Sequence, residues 1–348
     1  MITEKQVKDY LKSKDKDYID ALIDSLHEDD EQNAASSHKA CPICGSSHFK
    51  KNGKDKNGHQ RYICLDCHKS FSDRTNTLFY WSHFTVDQWL QFIDLELSKV
   101  CLEDEAHFLK TSRTTCFYMR HKLYHAASEI MGHQKLSGEV EIDTQYKSIN
   151  LKGTRPENMP RYSKKRGKQA AYRGVSHHKV AIVCASDDHD HMMMQVSGLG
   201  SESFDKYKAH RRHFDDVKEF ISDSKASIQQ FANYLEAVNN KIRTSPLKKK
   251  YLTDDGKSIG SVNEMMTEVS ALIQTTRGVG TRYIQGYLDF LLLKKQAKYA
   301  YKRSEVSSKI LEMVIGTQAF SNEMVLATPM PISLKEAYYE YRYGIFAK

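Results

Sequence analysis

Apolar residues recur at helical spacing after Thr85: Val86, Trp89, Leu90, Phe92, Ile93 and Leu97 share one stripe. That spacing predicts a helix, with two more to follow over residues 102–109 and 112–130. At Gly138 the period changes. Val140, Ile142, Thr144 and Tyr146 alternate with polar residues, which predicts a half-buried strand. HKVAIVCAS and MMMQVSG predict two further strands, joined by the turn residues DDHD. A polar helix is expected over 202–213, then a buried strand, EFISD, ending at Asp223. Helical spacing returns over 226–235, 262–274 and 281–300. Two short helices are expected near the start, over 3–11 and 18–26, followed by a polar linker, HEDDEQNAASSHKA. The last 40 or so residues are rich in Tyr and show no clear period.

The pattern changes class along the chain, so it predicts an α+β multidomain protein, as the length of 348 residues allows. Five segments are expected: an acidic helical segment 1–37, a Cys-rich module 38–84, a helical region 85–137, an α/β domain 138–300 and a C-terminal tail 301–348. Mean hydropathy is −0.63. The longest apolar runs, YLDFLLL and VAIVCA, fall far short of the ~20 residues a membrane span needs. No secretory signal is visible at the start, so a cytoplasmic, nucleoid-associated protein without a membrane partner is expected. Seven cysteines, four of them in two CxxC pairs, fit a reducing compartment with a metal site better than a disulfide framework.

Those pairs give the sharpest chemistry. Cys41 and Cys44, then nineteen residues, then Cys64 and Cys67 have the spacing of a zinc ribbon. Two residues between cysteines let a tight knuckle aim both thiolates at one ion, and four thiolates close a structural Zn²⁺ site. Cys101, Cys116 and Cys184 stand alone and read as small buried hydrophobes.

Charge is local. Residues 147–179 carry ten Lys or Arg against one acid, whereas the first 37 residues carry ten acids against five bases. Lys152, Arg155, Arg161, Lys164, Lys165, Arg166, Lys168 and Arg173 form the densest part of the basic stretch. Such a concentration suits phosphate. The three helices after the ribbon also suit a helix-turn-helix arrangement, whose third helix carries Arg113, Thr114, Thr115, Arg120, His121 and Lys122. Arg113 and Arg120 are the expected DNA contacts there. An ordinary helical linker domain fits the same pattern.

A carboxylate inside an apolar alternation is costly unless paired or metal-bound, and Asp143 sits in one. Asp223 ends a second apolar strand. If the two strands are neighbours, the carboxylates can share Mg²⁺ or Mn²⁺, which prefer oxygen ligands. A third ligand is available on the later helix from Asn263, Glu264 or Glu268, and spacing does not choose among them.

Taken in order, CPxCG, RYxCxxCxKSF, EID, KG, RG, then a late VN helix and RGVGTRYIQGYLDF, the chain resembles bacterial insertion-sequence transposases of the DDE class, in the ISXO-type group with an N-terminal zinc ribbon. The resemblance spans roughly residues 41–295. It implies an RNase H-like α/β catalytic core, with Asp143 and Asp223 as the first and second catalytic carboxylates and Asn263 at the third position. The family usually has a DNA-holding Lys seven residues after that position. Ser270 stands there, which keeps Glu264 and Glu268 open as third ligand. The implied function is metal-dependent DNA transposition, with double-stranded terminal inverted repeats and target DNA as partners. A homodimer or larger assembly is expected, because two ends must be synapsed. Two other readings stay open: a non-catalytic regulator or decayed transposase acting as repressor, and a nuclease that cuts without joining.

Overall fold

A computed structural model describes residues 40–55, 58–154, 159, 174–223, 225–244 and 251–338. The helices expected over 3–11 and 18–26 lie outside the described residues, as do Arg155, Arg161, Lys164, Lys165, Arg166, Lys168 and Arg173. The chain divides into two compact units. Among the described residues, one contains those from 40 to 130 together with 293–327. The other contains the described residues within 131–292 and 328–338.

The first unit opens with a three-stranded antiparallel sheet, β1 (Phe49–Lys54), β2 (Gln60–Cys64) and β3 (Ser70–Phe71). Its small core is aromatic. Tyr62 and Phe71 stack with ring centres 5.4 Å apart, and Phe49 meets both edge-on. Three helices follow: α1 (Val86–Leu97), α2 (Leu102–Phe108) and α3 (Arg113–Met131). A capping box starts α1. The amide of Gln88 donates to Thr85 Oγ1 at 3.3 Å, and the amide of Thr85 donates to Gln88 Oε1 at 2.9 Å. Val86, Trp89, Phe92, Ile93 and Glu96 form the buried stripe of α1, so the 3.6-residue period is satisfied by packing.

The second unit is built on a five-stranded sheet. In chain order its strands are β4 (Leu136–Ser148), β5 (Lys179–Asp187), β6 (Met192–Leu199), β7 (Phe214–Ser222) and β8 (Val238–Lys241). Their spatial order is β6-β5-β4-β7-β8. β4, β5 and β6 are antiparallel neighbours, whereas β7 lies parallel to β4 and β8 parallel to β7. The apolar run of β5 is buried on both faces because it lies between two strands and beneath side chains on either side. Short helix α4 (Phe204–Lys208) and α5 (Ala226–Tyr234) cover one face. Under them Leu136, Val140, Ile142, Phe214, Phe220 and Phe231 form the main core. Helix α6 (Gly260–Thr275) lies against β4 and β5, and α7 (Ile284–Ala300) follows.

The polar helix expected over 202–213 is shorter than its period suggested. It is α4 plus one 3₁₀ turn at Arg211–His213. The stretch expected as a tail from 301 carries two helices instead, α8 (Val306–Val314) and α9 (Asn322–Ala327). Both belong to the ribbon-containing unit. The buried Val306, Ile310, Leu311 and Val314 of α8 form a stripe that the Tyr-rich composition obscures.

Two glycine positions decide how strands meet. Gly138 has φ 67°, and a Cβ there would stand 2.9 Å from Asp188 Oδ1, where the β4–β7 register shifts. In the RGVG block, a Cβ on Gly280 would stand 2.8 Å from the Lys152 carbonyl oxygen. That block docks on the chain leaving β4: the Thr281 amide donates to Asn150 O at 2.8 Å, and the Asn150 amide donates to Thr281 Oγ1 at 2.9 Å.

Candidate functional site

The four cysteine sulfurs of the ribbon lie within 4.8 Å of one another, and among the described residues no other His, Cys, Asp or Glu cluster of three or more converges as closely. Cys41 and Cys67 Sγ are 3.9 Å apart, and Cys44 and Cys64 Sγ are 3.6 Å apart. A tetrahedral zinc–thiolate site with bonds of about 2.3 Å has edges of about 3.8 Å, so the set fits Zn²⁺. It does not fit a disulfide, which needs sulfurs about 2.05 Å apart. Each knuckle is shaped by backbone bonds. Cys41 N donates to Ser46 O at 2.7 Å, and Cys64 N donates to Lys69 O at 3.0 Å. The Cys67 amide points at the Cys64 sulfur from 3.5 Å. That bond favours thiolate, outweighs the opposing effect of burial, and brings Cys64 down to about 7. Lys50, Lys51, Lys54, Arg61 and Lys69 are exposed on the ribbon, so its solvent face is basic.

We expect one zinc per chain by elemental analysis. Cys41→Ser and Cys64→Ser should each lose it, and zinc retained in both variants would overturn the assignment.

In the helical region the structure corrects part of the expectation. Arg113 is exposed at the start of α3, beside Glu103 at 3.4 Å. Arg120 is buried and cannot reach DNA phosphate in this fold. Its guanidinium bonds Glu96 Oε1 and Glu105 Oε1, each at 2.5 Å. Tyr124 OH donates to Glu96 Oε2 at 2.8 Å. His121 and Lys122 are buried as well. Burial, aided by the Arg120 charge, holds His121 neutral by pulling it down to about 3. A cationic side chain at the third-turn positions of α3 therefore builds the core, because those positions face inward.

In the second unit the carboxylates meet at the C-terminal end of β7, beside the neighbouring interior strand β4. Glu141 of β4 stands beside Ile221 of β7. The same parallel register carried two residues on brings Asp143 beside Asp223, just past the end of β7. The ammonium of Lys225 gathers them. Its Nζ lies 3.0 Å from Asp143 Oδ1, 2.9 Å from Asp223 Oδ2 and 3.0 Å from Glu202 Oε1. Glu202, between β6 and α4, is the residue that sequence reasoning missed. No motif marks it, and only the fold brings it to the other two. Its amide donates to Tyr146 OH at 3.1 Å, which ties that loop to β4.

Asp143 Oδ1 also accepts from the Thr144 amide at 2.7 Å. Among the described residues, Asp223 Oδ1 is buried without a hydrogen-bond partner. Burial alone would push Lys225 down, but Asp143 first, then Asp223 and Glu202, hold it far above the ordinary lysine range. Three carboxylates around one ammonium offer the hard oxygen donors that Mg²⁺ or Mn²⁺ prefers, and their oxygens, bridged by the ammonium, are not all within 4.8 Å of one another and must draw together to bind one ion.

The face of β4 that carries Asp143 also positions α6. Glu141 accepts from the Val262 amide at 3.1 Å and from Ser261 Oγ at 3.3 Å, at the positive end of the helix. Gln145 Nε2 donates to Met266 O at 2.7 Å. Lys147 Nζ donates to Ser270 Oγ at 2.7 Å, so the place where the resemblance has a lysine is reached by one from β4. Lys152 Nζ donates to the Thr276 and Gly278 carbonyls at 3.4 and 3.2 Å. Asn263 and Glu264 are exposed on α6, and Glu268 is half-buried.

Residues 34–68 match the family model of the InsA N-terminal domain, a zinc ribbon. The chain is also 31% identical over 139 residues to an uncharacterized protein in transposable element ISH50 of Halobacterium salinarum. The matched stretch covers 39% of this chain and 44% of that protein. The chain therefore carries an InsA-type ribbon and is related to a transposable-element protein. Among the described residues, no helix is long and apolar enough to cross a membrane.

Proposed function

We propose that this protein is a DDE-type transposase of an insertion sequence. It binds the element's terminal inverted repeats and performs metal-dependent strand cleavage and strand transfer. The observation that carries the reading is the parallel register of the two neighbouring strands β4 and β7, which, carried two residues past Glu141 and Ile221, brings Asp143 beside Asp223 at the C-terminal end of β7. The strand order β6-β5-β4-β7-β8, with three antiparallel strands followed by two parallel ones, supports an RNase H-like core. The ribbon match and the transposable-element relative support an insertion-sequence setting.

Asp143, Asp223 and Glu202 would hold Mg²⁺ or Mn²⁺. When bound, the metal makes water or a 3′ hydroxyl a better nucleophile and stabilises the leaving 3′ oxygen. At the element end, water attacks phosphorus and the P–O3′ bond breaks, freeing a 3′ hydroxyl. That hydroxyl then attacks a target phosphodiester, whose own P–O3′ bond breaks as the new one forms. No protein side chain becomes covalently linked. The exposed lysines and arginine of the ribbon would hold phosphate, so end binding should weaken steeply with salt. Two chains bring the two ends together.

For the third ligand, Glu202→Gln should abolish Mg²⁺-dependent nicking. Asn263→Ala, Glu264→Ala and Glu268→Ala should each retain it. Nicking retained in Glu202→Gln but lost in one α6 variant would assign that position to the helix instead.

The regulator reading has one observation in its favour: Lys225 already neutralises part of the carboxylate charge. It predicts tight end binding without nicking at any Mg²⁺ or Mn²⁺ concentration. A cleavage assay on the element's own ends separates the two.

A further inference from the structure

Lys225 is the unexpected member of the carboxylate cluster. It follows Asp223 by two residues and precedes the first turn of α5, with φ −71° and ψ 133°. Its backbone is the N-cap of α5, and four methylenes separate the ammonium from it. The side chain is one-third exposed, so an outward path exists. Inside the cluster it has three carboxylate partners at 2.9 to 3.0 Å. A divalent cation drawing on the same oxygens would bond them at about 2.0–2.1 Å, and could not share that space with an ammonium. Like charges a few ångströms apart in a partly buried site also repel strongly.

Resting on the metal-site reading above, we infer that the Lys225 ammonium is a resident place-holder cation, which a divalent metal displaces on entering the site. The metal-free fold is kept from carrying three unneutralised carboxylates by this internal charge. Divalent affinity is correspondingly set low, because each binding event must first break three charge-assisted hydrogen bonds. Asp223 Oδ1, buried and without a hydrogen bond among the described residues, is the acceptor that the ammonium leaves unused. The released ammonium then lies at the rim of the site, where the phosphate of a bound DNA strand would approach.

The test is Mn²⁺ binding to the zinc-loaded full chain without DNA, monitored by electron paramagnetic resonance of free Mn²⁺. Lys225→Met should bind Mn²⁺ at least about tenfold more tightly than wild type, since a competing cation is gone. The variant should also be less heat-stable than wild type without metal, and recover stability as Mg²⁺ is added. Lys225→Arg, with a wider fork that grips carboxylates in pairs, should bind Mn²⁺ more weakly than wild type. Equal or weaker Mn²⁺ binding by Lys225→Met overturns the inference. If Lys225→Met fails to fold, Mn²⁺ affinity of Lys225→Arg equal to wild type overturns it instead. Asp143→Asn separates the two levels. If it binds Mn²⁺ as wild type does, the metal-site reading itself fails. If it loses Mn²⁺ while Lys225→Met is unchanged, only the role of Lys225 fails.

Discussion

Asp143→Asn is expected to lower Mg²⁺-dependent nicking of the element's ends by on the order of 10³-fold or more, with end binding nearly unchanged. The substitution keeps the shape of the side chain. Its amide oxygen can still accept from the Thr144 amide and from Lys225, the two partners of Asp143 Oδ1. The strand, its pairing and the contact surface for DNA are therefore preserved. Only a formal charge is removed, at the place where it would help hold a doubly charged ion. Gel-shift binding beside a nicking assay measures both quantities on the same preparation. Undiminished nicking would show that Asp143 is not a metal ligand. A parallel loss of binding would show that the variant had disturbed the fold.

The second large effect concerns stability. Arg120→Ala is expected to destabilise the ribbon-containing unit by about 3–5 kcal/mol, because it strands buried carboxylates. Glu96 and Glu105 are almost wholly buried, and Arg120 is the cation they share. One positive charge cannot neutralise two carboxylates in a dry core, and the pair resolves the conflict with a proton. Burial first, then repulsion from Glu96, pushes Glu105 up to about 8, against the pull of Arg120. Glu105 Oε2, buried without a hydrogen-bond partner, is where a carboxyl proton would sit at least cost.

The sign for pH follows from that shift. A group whose folded pKa is raised contributes stability that is full below its unfolded value. That contribution is lost as pH rises through the folded value. Wild type should therefore lose stability relative to Glu105→Gln between about pH 4.5 and about 8, and Glu105→Gln should cost little at pH 8. Glu96→Gln should cost more, because Glu96 bonds both Arg120 and Tyr124. Urea unfolding at pH 5 and pH 8 measures all three variants. A wild-type curve parallel to that of Glu105→Gln across this range would show that Glu105 is ionised in the fold.

Several features of the fold are legible in the order of residues alone. The two CxxC pairs mark the ribbon, and the change of period at Gly138 marks the sheet. These features are local, set by neighbours within a turn or a strand, so periodicity and spacing carry them. Asp143 shares the polar phase of β4 with Glu141 and Gln145, so the alternation alone does not set it apart and the family resemblance is what singles it out. Arg120 shows where such reading stops. A cation on an amphipathic helix looks like a surface contact, and whether it is one depends on which side the core lies. The acids that claim it, Glu96 and Glu105, sit on two other helices.

The candidate site divides the same way. Cys41, Cys44, Cys64 and Cys67 could be assigned by the sequence itself, because two hairpin knuckles bring their sulfurs together over a short span. The sequence also placed Asp143 within one alternating strand and Asp223 at the end of another. Only the tertiary structure decided that those strands are parallel neighbours. It also brought Glu202 and Lys225 to the same point and left Asn263 and Glu264 facing solvent. The physical reason is sheet order. Residues 143, 202 and 223 are far apart along the chain, and their meeting depends on which strands pair and in what register. Long-range packing sets that pairing, and no local pattern encodes it.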